Sequence, residues 1–265
     1  MNDIIICPVC KKPLAFDDKT ARCANGHSFD RAKEGYVNLL RASRSGDLIG
    51  DDKSMARARR DFLDRGYYSV LRDGLCDMIR RRAPAVLLDV CCGEGWYTSA
   101  FGAIDGVDAY GFDISREMVR LAAKRGGCSC FVAGLSDIPI ADGSVDCATL
   151  LFAPLGEEEI ARVLRPDGRL FIVIPAARHL WGLKSLLYDT PYLNDEKFPD
   201  VRTFRLLSSR RFGDRVTITG EHDIDACFRM TPYFFRTSAA DKQKLIGVQS
   251  LVTDIEFIVG EFAKI

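Results

Sequence analysis

Cys7, Cys10, Cys23 and His27 are the residues of this 265-residue chain whose types and spacing most plainly bear chemistry. They read Cys-x-x-Cys and, twelve residues on, Cys-x-x-x-His. A two-residue gap lets two thiolates on one tight turn reach the same ion, and a second pair ending in an imidazole completes a tetrahedron suited to zinc. Four protein ligands leave no position for water, so the expected zinc is structural rather than catalytic. Pro8 and Gly26 are turn formers placed where such knuckles need them. The segment has only about forty residues, too few to bury a core without help. Chance spacing of cysteines that are simply small apolar residues is the weaker reading.

A second constellation is Asp89-Val90-Cys91-Cys92-Gly93-Glu94-Gly95, which closes an apolar run. In open α/β sheets ligands bind beyond the carboxyl ends of strands, and Gly93 and Gly95 would admit a ligand close to the backbone. A dinucleotide fingerprint would place a third glycine where Thr98 stands. Asp89 ahead of the turn suits a cationic amino-acid ligand, and Asp113 in GFDIS suits the two hydroxyls of a ribose. Ser115 is available to cap the following helix in its stead. Together these acids fit S-adenosylmethionine. In many methyltransferases of this fold an adenine-contacting acid precedes a Leu-Pro or Ile-Pro pair. Asp137 stands very close to Pro139, so the backbone at Leu135 and Ser136 is expected to contact adenine.

The elements that must position these groups follow from periodicity. From Met55 to Arg82 apolar residues recur at helical steps (Phe62, Leu63, Val70, Leu71, Leu75, Ile79), and Gly66 is expected to divide two helices. Ala85–Cys91, Val107–Phe112, Cys128–Ala133, Cys147–Phe152 and Leu170–Ile174 read as buried strands. Helices are expected at 96–101, 115–125 and 157–164, giving a doubly wound α/β sheet. Residues 177–215 look like a less regular, helix-prone basic insertion, followed by strands at 216–222 and 250–259. Residues 41–54 are polar and rich in Gly, Ser and Asp, as a linker would be. The expected division is a zinc-binding unit at 1–40, linker and helices at 41–82, and a catalytic unit at 83–265.

Net formal charge is zero. Residues 1–82 hold 17 Lys/Arg against 12 Asp/Glu, and the remainder 20 against 25. That asymmetry hints at a polyanionic partner for the front third, and an ordinary solvated surface fits it equally well. No apolar run approaches bilayer length, so no membrane partner is expected. No signal-peptide pattern precedes the domain, so a reducing, cytoplasmic setting is expected. Cys76, Cys91, Cys92, Cys128, Cys130, Cys147 and Cys227 then read as small apolar residues without disulfides.

Several stretches now carry a resemblance: CPVC…CANGHSFD, KEGYVNLL (Lys33–Leu40), MARARRDFLDRGYYSVLRD (Met55–Asp73), DVCCGEGWYT, FAP (Phe152–Pro154), PAARHL (Pro175–Leu180) and MTPYFFR (Met230–Arg236). The chain resembles the 23S ribosomal RNA (guanine-N1)-methyltransferases of the RlmA type. The resemblance implies a Rossmann-like class I methyltransferase sheet with a small N-terminal zinc-binding domain. It further implies methyl transfer from S-adenosylmethionine to a guanine N1 in a 23S rRNA hairpin, RNA recognition by the zinc domain, and a homodimer. By motif position, Tyr68, Gly93, Glu94 and His179 would line the cofactor pocket. Where the family loop has its first glycine this chain has Cys91, expected to be tolerated as a small residue in the β region.

Guanine N1 must lose a proton, so a base would assist. The candidates are His179, Asp254, Glu256 and a backbone carbonyl of Phe152–Pro154, and no single catalytic residue stands out. Phe152 or Tyr233 would stack on the base. Arg57, Arg59 and Arg60, with Lys11, Lys12 and Arg31, are expected to meet RNA phosphates. Two other readings stay open at this level: a small-molecule methyltransferase with a structural zinc domain, and an inactive RNA-binding protein that kept the fold.

Overall fold

The computed structural model describes residues 4–41 and 53–265. Most of the expected linker, residues 42–52, lies outside the described residues. Leu14–Phe16 (β1), Thr20–Cys23 (β2) and Ser28–Asp30 (β3) form a small antiparallel sheet beside the cysteine quartet. Val37–Asn38 (β4) leaves it for a larger sheet. Lys53–Asp64 (α1) and Ser69–Arg82 (α2) are separated at Gly66, whose φ of +80° a side chain would resist. Phe62, Leu71, Leu75 and Ile79 are buried, as their spacing requires. Arg80, Arg81 and Arg82 fill the last turn of α2, where cations oppose the partial negative charge of the helix end.

The next strands are Val86–Val90 (β5), Asp108–Asp113 (β6), Ser129–Val132 (β7), Val145–Leu151 (β8) and Leu164–Pro175 (β9). Each of the five residues of β5 is buried, which explains its continuous apolar run. Burying each such Val or Leu contributes about 1.5–3 kcal/mol against chain entropy. Connecting helices are Trp96–Gly102 (α3), Arg116–Arg125 (α4) and Glu157–Val163 (α5). Ser115 caps α4 by accepting from the Met118 amide, which leaves Asp113 free of that duty. Trp181–Leu187 (α6) precedes the long strand Phe204–Thr219 (β10); Glu221–Arg229 (α7) precedes Ser250–Lys264 (β11).

The large sheet runs β10-β11-β9-β8-β5-β6-β7-β4. Its centre is parallel, and β11 and β10 close one edge antiparallel. This is the doubly wound sheet expected from the sequence. β5 lies between β6 and β8, so strand order reverses there and a crevice opens beyond its carboxyl end.

Two expectations about the carboxyl third are corrected. Residues 204–215 are strand, not irregular insertion, and His222 belongs to α7 rather than to a strand. β10 is an edge strand exposed on both faces over most of its length, with Arg205, Arg210, Arg211 and Arg215 along it. Such a strand lacks the alternation that reveals a half-buried one, and charged residues are a common guard on sheet edges.

Candidate functional site

A cavity of about 390 Å³ opens beyond the carboxyl ends of β5, β8 and β9. That volume suits a small-molecule ligand. Of the residues singled out from sequence, Tyr68, Asp89, Gly93, Glu94, His179, Phe152 and Tyr233 line it. Gly95, Asp113, Leu135 and Ser136 lie outside its walls, on the side of β6 and β7. Gly95 has a packing reason to be glycine: its φ is +80°, and a Cβ there would stand 2.7 Å from Ala122 Cβ on α4. At Gly93 (φ +57°) a Cβ would meet only open space.

Asp89 is buried at the end of β5 and accepts from Thr98 Oγ1 (2.5 Å) and Thr149 Oγ1 (2.6 Å). Burial pushes its carboxyl up to about 6 despite those hydrogen bonds. Asp113 accepts from the Gly93 and Ser115 amides (3.1 and 2.8 Å), one on each carboxylate oxygen. It therefore ties the glycine turn to the end of β6.

Glu94 is buried. Its Oε2 meets Arg125 at 2.5 Å, and Arg125 also reaches Asp64 at 2.7 Å. Burial raises the Glu94 carboxyl, against the lowering by Arg125. Its Oε1 and the Tyr97 hydroxyl are buried with no hydrogen-bond partner among the described residues. Unsatisfied buried polar atoms in a cavity wall await a ligand. An acidic, orphaned oxygen suits the methionyl ammonium of S-adenosylmethionine, so the residues present fit that cofactor.

His179 follows β9. Its Nδ1 accepts the Glu256 amide (3.2 Å), and its Nε2 lies 3.1 Å from Tyr68 Oη. An amide can only donate, so the neutral ring carries its hydrogen on Nε2 and donates to Tyr68. Burial, with the Lys184 charge nearby, lowers the imidazole to about 3. Neither nitrogen can take a proton, which removes His179 from the candidate bases. Asp254 and Glu256 do not line the cavity, and their carboxylates face Arg178 (3.4 Å) and Arg211 (3.9 Å). What His179 does is hold Tyr68, leaving the phenol hydrogen free for a ligand.

Cys91 (φ +57°), Phe152 (φ +57°) and Leu180 (φ +57°) are left-handed non-glycine residues, and all three line the cavity. The β-region expectation for Cys91 is thus corrected: the chain must turn sharply off β5 to face Gly93. A side chain in that conformation costs roughly 1–2 kcal/mol. Cys91→Gly is accordingly expected to raise stability by about 1 kcal/mol, read from the denaturant midpoint, with cofactor affinity undiminished.

Sequence reasoning missed Arg59 and Tyr97 as cavity residues. Arg59 was expected on RNA, but α1 packs against α7 with that side chain turned inward. Lys184 is also buried, lowered to about 8 by its burial, and donates to Asn194 Oδ1 (2.6 Å) and the Tyr192 carbonyl (3.1 Å). Asn194 in turn donates to the Ala176 carbonyl (2.9 Å), so this pair straps the segment after α6 across the rim. Tyr97, two residues past the glycine turn, had a signal in its position; Arg59 had none.

The metal quartet assembles. Cys7 Sγ, Cys10 Sγ, Cys23 Sγ and a ring nitrogen of His27 all lie within 4.8 Å of one another. Neighbouring donors stand 3.3–3.6 Å apart (Cys23–His27 3.3, Cys10–Cys23 3.5, Cys7–His27 3.6). A Cys₃His tetrahedron with zinc–nitrogen and zinc–sulfur bonds of ordinary length has edges of about 3.5–3.8 Å. The donor set therefore fits zinc, held in a closed structural site. The other cysteines form no disulfide in the structure. Among the described residues no helix is long and apolar enough to cross a membrane.

Residues 5–44 match the family model described as RlmA, N-terminal, and residues 87–168 match the model described as Methyltransferase domain. The chain is 39% identical over 188 residues to a 23S rRNA (guanine(748)-N(1))-methyltransferase of Streptomyces fradiae, covering 68% of this chain and 66% of that one, just under two thirds of its length. It is 34% identical to a putative 23S rRNA (guanine-N(1)-)-methyltransferase of Micromonospora griseorubida, covering 68% of each. A protein of Bacillus subtilis (strain 168) bearing that same putative description is 29% identical, over 96% of this chain and 95% of its own. With a closed Cys₃His centre and a methyltransferase sheet in one chain, and likeness of that extent, the protein belongs to the RlmA-type 23S rRNA (guanine-N1)-methyltransferase family.

Proposed function

We propose that this chain methylates N1 of a guanine in a 23S rRNA hairpin, as a cytoplasmic homodimer. The carrying observation is the cavity at the strand-order reversal, walled by Asp89 and the orphaned Glu94 Oε1 on one side and by exposed Phe152 on the other. When bound, S-adenosylmethionine supplies an electrophilic methyl group on its sulfonium. Glu94 and Asp89 hold the methionyl end by charge, Tyr68 donates a hydrogen bond to it, Asp113 receives the ribose, and Leu135 and Ser136 meet adenine. Phe152 stacks on a flipped base, a contact worth ~1–3 kcal/mol. These residues mainly position the reactants, and positioning is the larger part of catalysis for such a displacement. In this reading residues 1–40 are the zinc-binding RNA-recognition unit, 41–82 linker and helices, and 83–265 the methyltransferase unit.

The test is incubation with labelled cofactor and total rRNA, followed by mapping of the label. Label at N1 of a guanine in a 23S hairpin supports the reading. Label only in small molecules, or none despite RNA binding, overturns it.

The RNA grip narrows to fewer cations than the sequence suggested. Arg31 is spent on the Gly35 and Asp17 carbonyls, and Lys11 on Asp137. Arg60 pairs with Asp64 at 3.5 Å. Lys12 and Arg57 are exposed. Removing either is expected to reduce the slope of log affinity against log salt by about 1. An unchanged slope in a filter-binding titration would take that residue off the RNA.

A further inference from the structure

The N-terminal metal module lies along the whole segment that follows β7. The Leu39 amide donates to the Val132 carbonyl at 2.9 Å, and β4 pairs with β7. Further along, the Ile6 amide donates to Pro139 (2.9 Å), Ile5 bridges Ile140, and the Ala141 amide donates to Ile4 (2.8 Å). Between these ends, Lys11 forms an ion pair with Asp137, and Arg41 reaches the other carboxylate oxygen at 4.0 Å. Ile5, Cys7, Leu14 and Cys23 share one buried apolar cluster with Ile138 and Ile140.

From the opposite side α5 also grips part of this loop. Glu159 accepts the Ile138 amide (2.7 Å), and Arg162 donates to the Ile138 and Ile140 carbonyls (2.7 and 2.8 Å). Its hydrogen bonds stop at Ile138, while Gly156 at the start of α5 packs closely on Leu135. Asp137, next to Leu135 and Ser136, has its cationic partners on the N-terminal segment. Lys11 itself directly follows the metal ligand Cys10. Its amide donates to the Cys7 carbonyl (2.9 Å), and its φ is +60°, a conformation that a free chain avoids. The direction Lys11 takes therefore depends on the knuckle that the metal closes.

We infer that the metal module is a positioning element for the adenosine half of the cofactor, with Lys11 and Ile4–Ile6 as its contacts. With zinc bound, they hold Leu135–Ile140 in the form that receives adenine, so zinc and adenosine bind with positive coupling. The inference rests on the reading that adenine lies at Leu135 and Ser136. Coupling between two sites is reciprocal at equilibrium. Adenosine is thus expected to tighten zinc by about tenfold, and zinc to tighten adenosine by the same factor.

The experiment measures zinc affinity by competition with a chromophoric chelator, with and without saturating adenosine, and adenosine affinity by calorimetry on zinc-loaded and stripped protein. The variants Lys11→Met and Asp137→Asn keep all four metal ligands, so their folding does not depend on the outcome. An ion pair this exposed contributes modestly, so each variant is expected to weaken adenosine about twofold to threefold, and the double variant no more than either alone. Equal adenosine affinity in all forms, with S-adenosylmethionine still binding, overturns the inference and spares the cofactor reading. Failure of zinc-loaded protein to bind adenosine or S-adenosylmethionine overturns both.

Discussion

Cys23→Ala is expected to release the zinc and unfold residues 4–30, while the large sheet keeps its cooperative transition. Structural zinc binding in small modules is worth on the order of 10 kcal/mol, and it is folding free energy because the site does not exist in the unfolded chain. β1, β2 and β3 have three, four and three residues, so their backbone bonds alone cannot offset the entropy of ordering them. Hydrogen exchange reads the result. The Lys11 and Arg31 amides, which donate to Cys7 (2.9 Å) and Lys19 (2.8 Å), should lose their protection. The Ala141 amide should follow, since its acceptor is Ile4. Amides of β5 and β8 should keep theirs. Retained protection in residues 4–30 after loss of the ligand would mean that apolar packing, not metal, holds the module.

Asp89→Asn is expected to stabilise the free protein and weaken cofactor binding. In the folded chain the carboxyl keeps its proton up to about pH 6, against an ordinary value of 3.8. Between those values the folded state binds more protons than the unfolded state, so stability falls as pH rises through that window, by at most about 3 kcal/mol. Asparagine removes this penalty. It also disturbs the donation from Thr98 and Thr149, at about 1 kcal/mol. The net gain at pH 7.5 is then about 2 kcal/mol; it crosses zero near about pH 4.5 and turns into a loss of about 1 kcal/mol well below about pH 4, as denaturant titrations across that range would read. Affinity for S-adenosylmethionine moves the other way. A hydrogen bond to a charged group contributes about 1.5–3 kcal/mol, so its loss means tenfold or more. The wild type should also lose affinity as pH falls through about 6, and the variant should not. A variant that binds as tightly as the wild type would remove Asp89 from the cofactor's charge recognition. The combination is expected wherever a buried charge is kept for a ligand at the expense of the fold.

The left-handed residues tell the same story of strain at the site. Cys91 and Phe152 each turn the chain off the end of a buried strand, and Leu180 starts α6, all against one cavity. Strain of this kind persists where surrounding structure over-determines the backbone. It was invisible in the sequence because neither leucine, phenylalanine nor cysteine announces a positive φ as glycine does.

What the sequence alone determined was whatever depends on neighbours a few residues apart. The spacing of Cys7, Cys10, Cys23 and His27 specified a closed metal site, because four donors on two tight turns need no distant help to converge. The buried runs ending at Cys91, Phe112 and Phe152 specified parallel strands, because burial on both faces leaves an unbroken apolar signal. Tertiary structure decided the rest. β10 had no pattern to read, being an edge exposed on both faces. Arg59 became a cavity-lining residue because α1 turns that side toward the glycine loop. His179 lost its candidacy as a base because a backbone amide 77 residues away occupies its Nδ1. Lys11 reaches Asp137, 126 residues away. Each of these outcomes turns on a contact between distant parts of the chain, whose direction local periodicity and spacing do not encode.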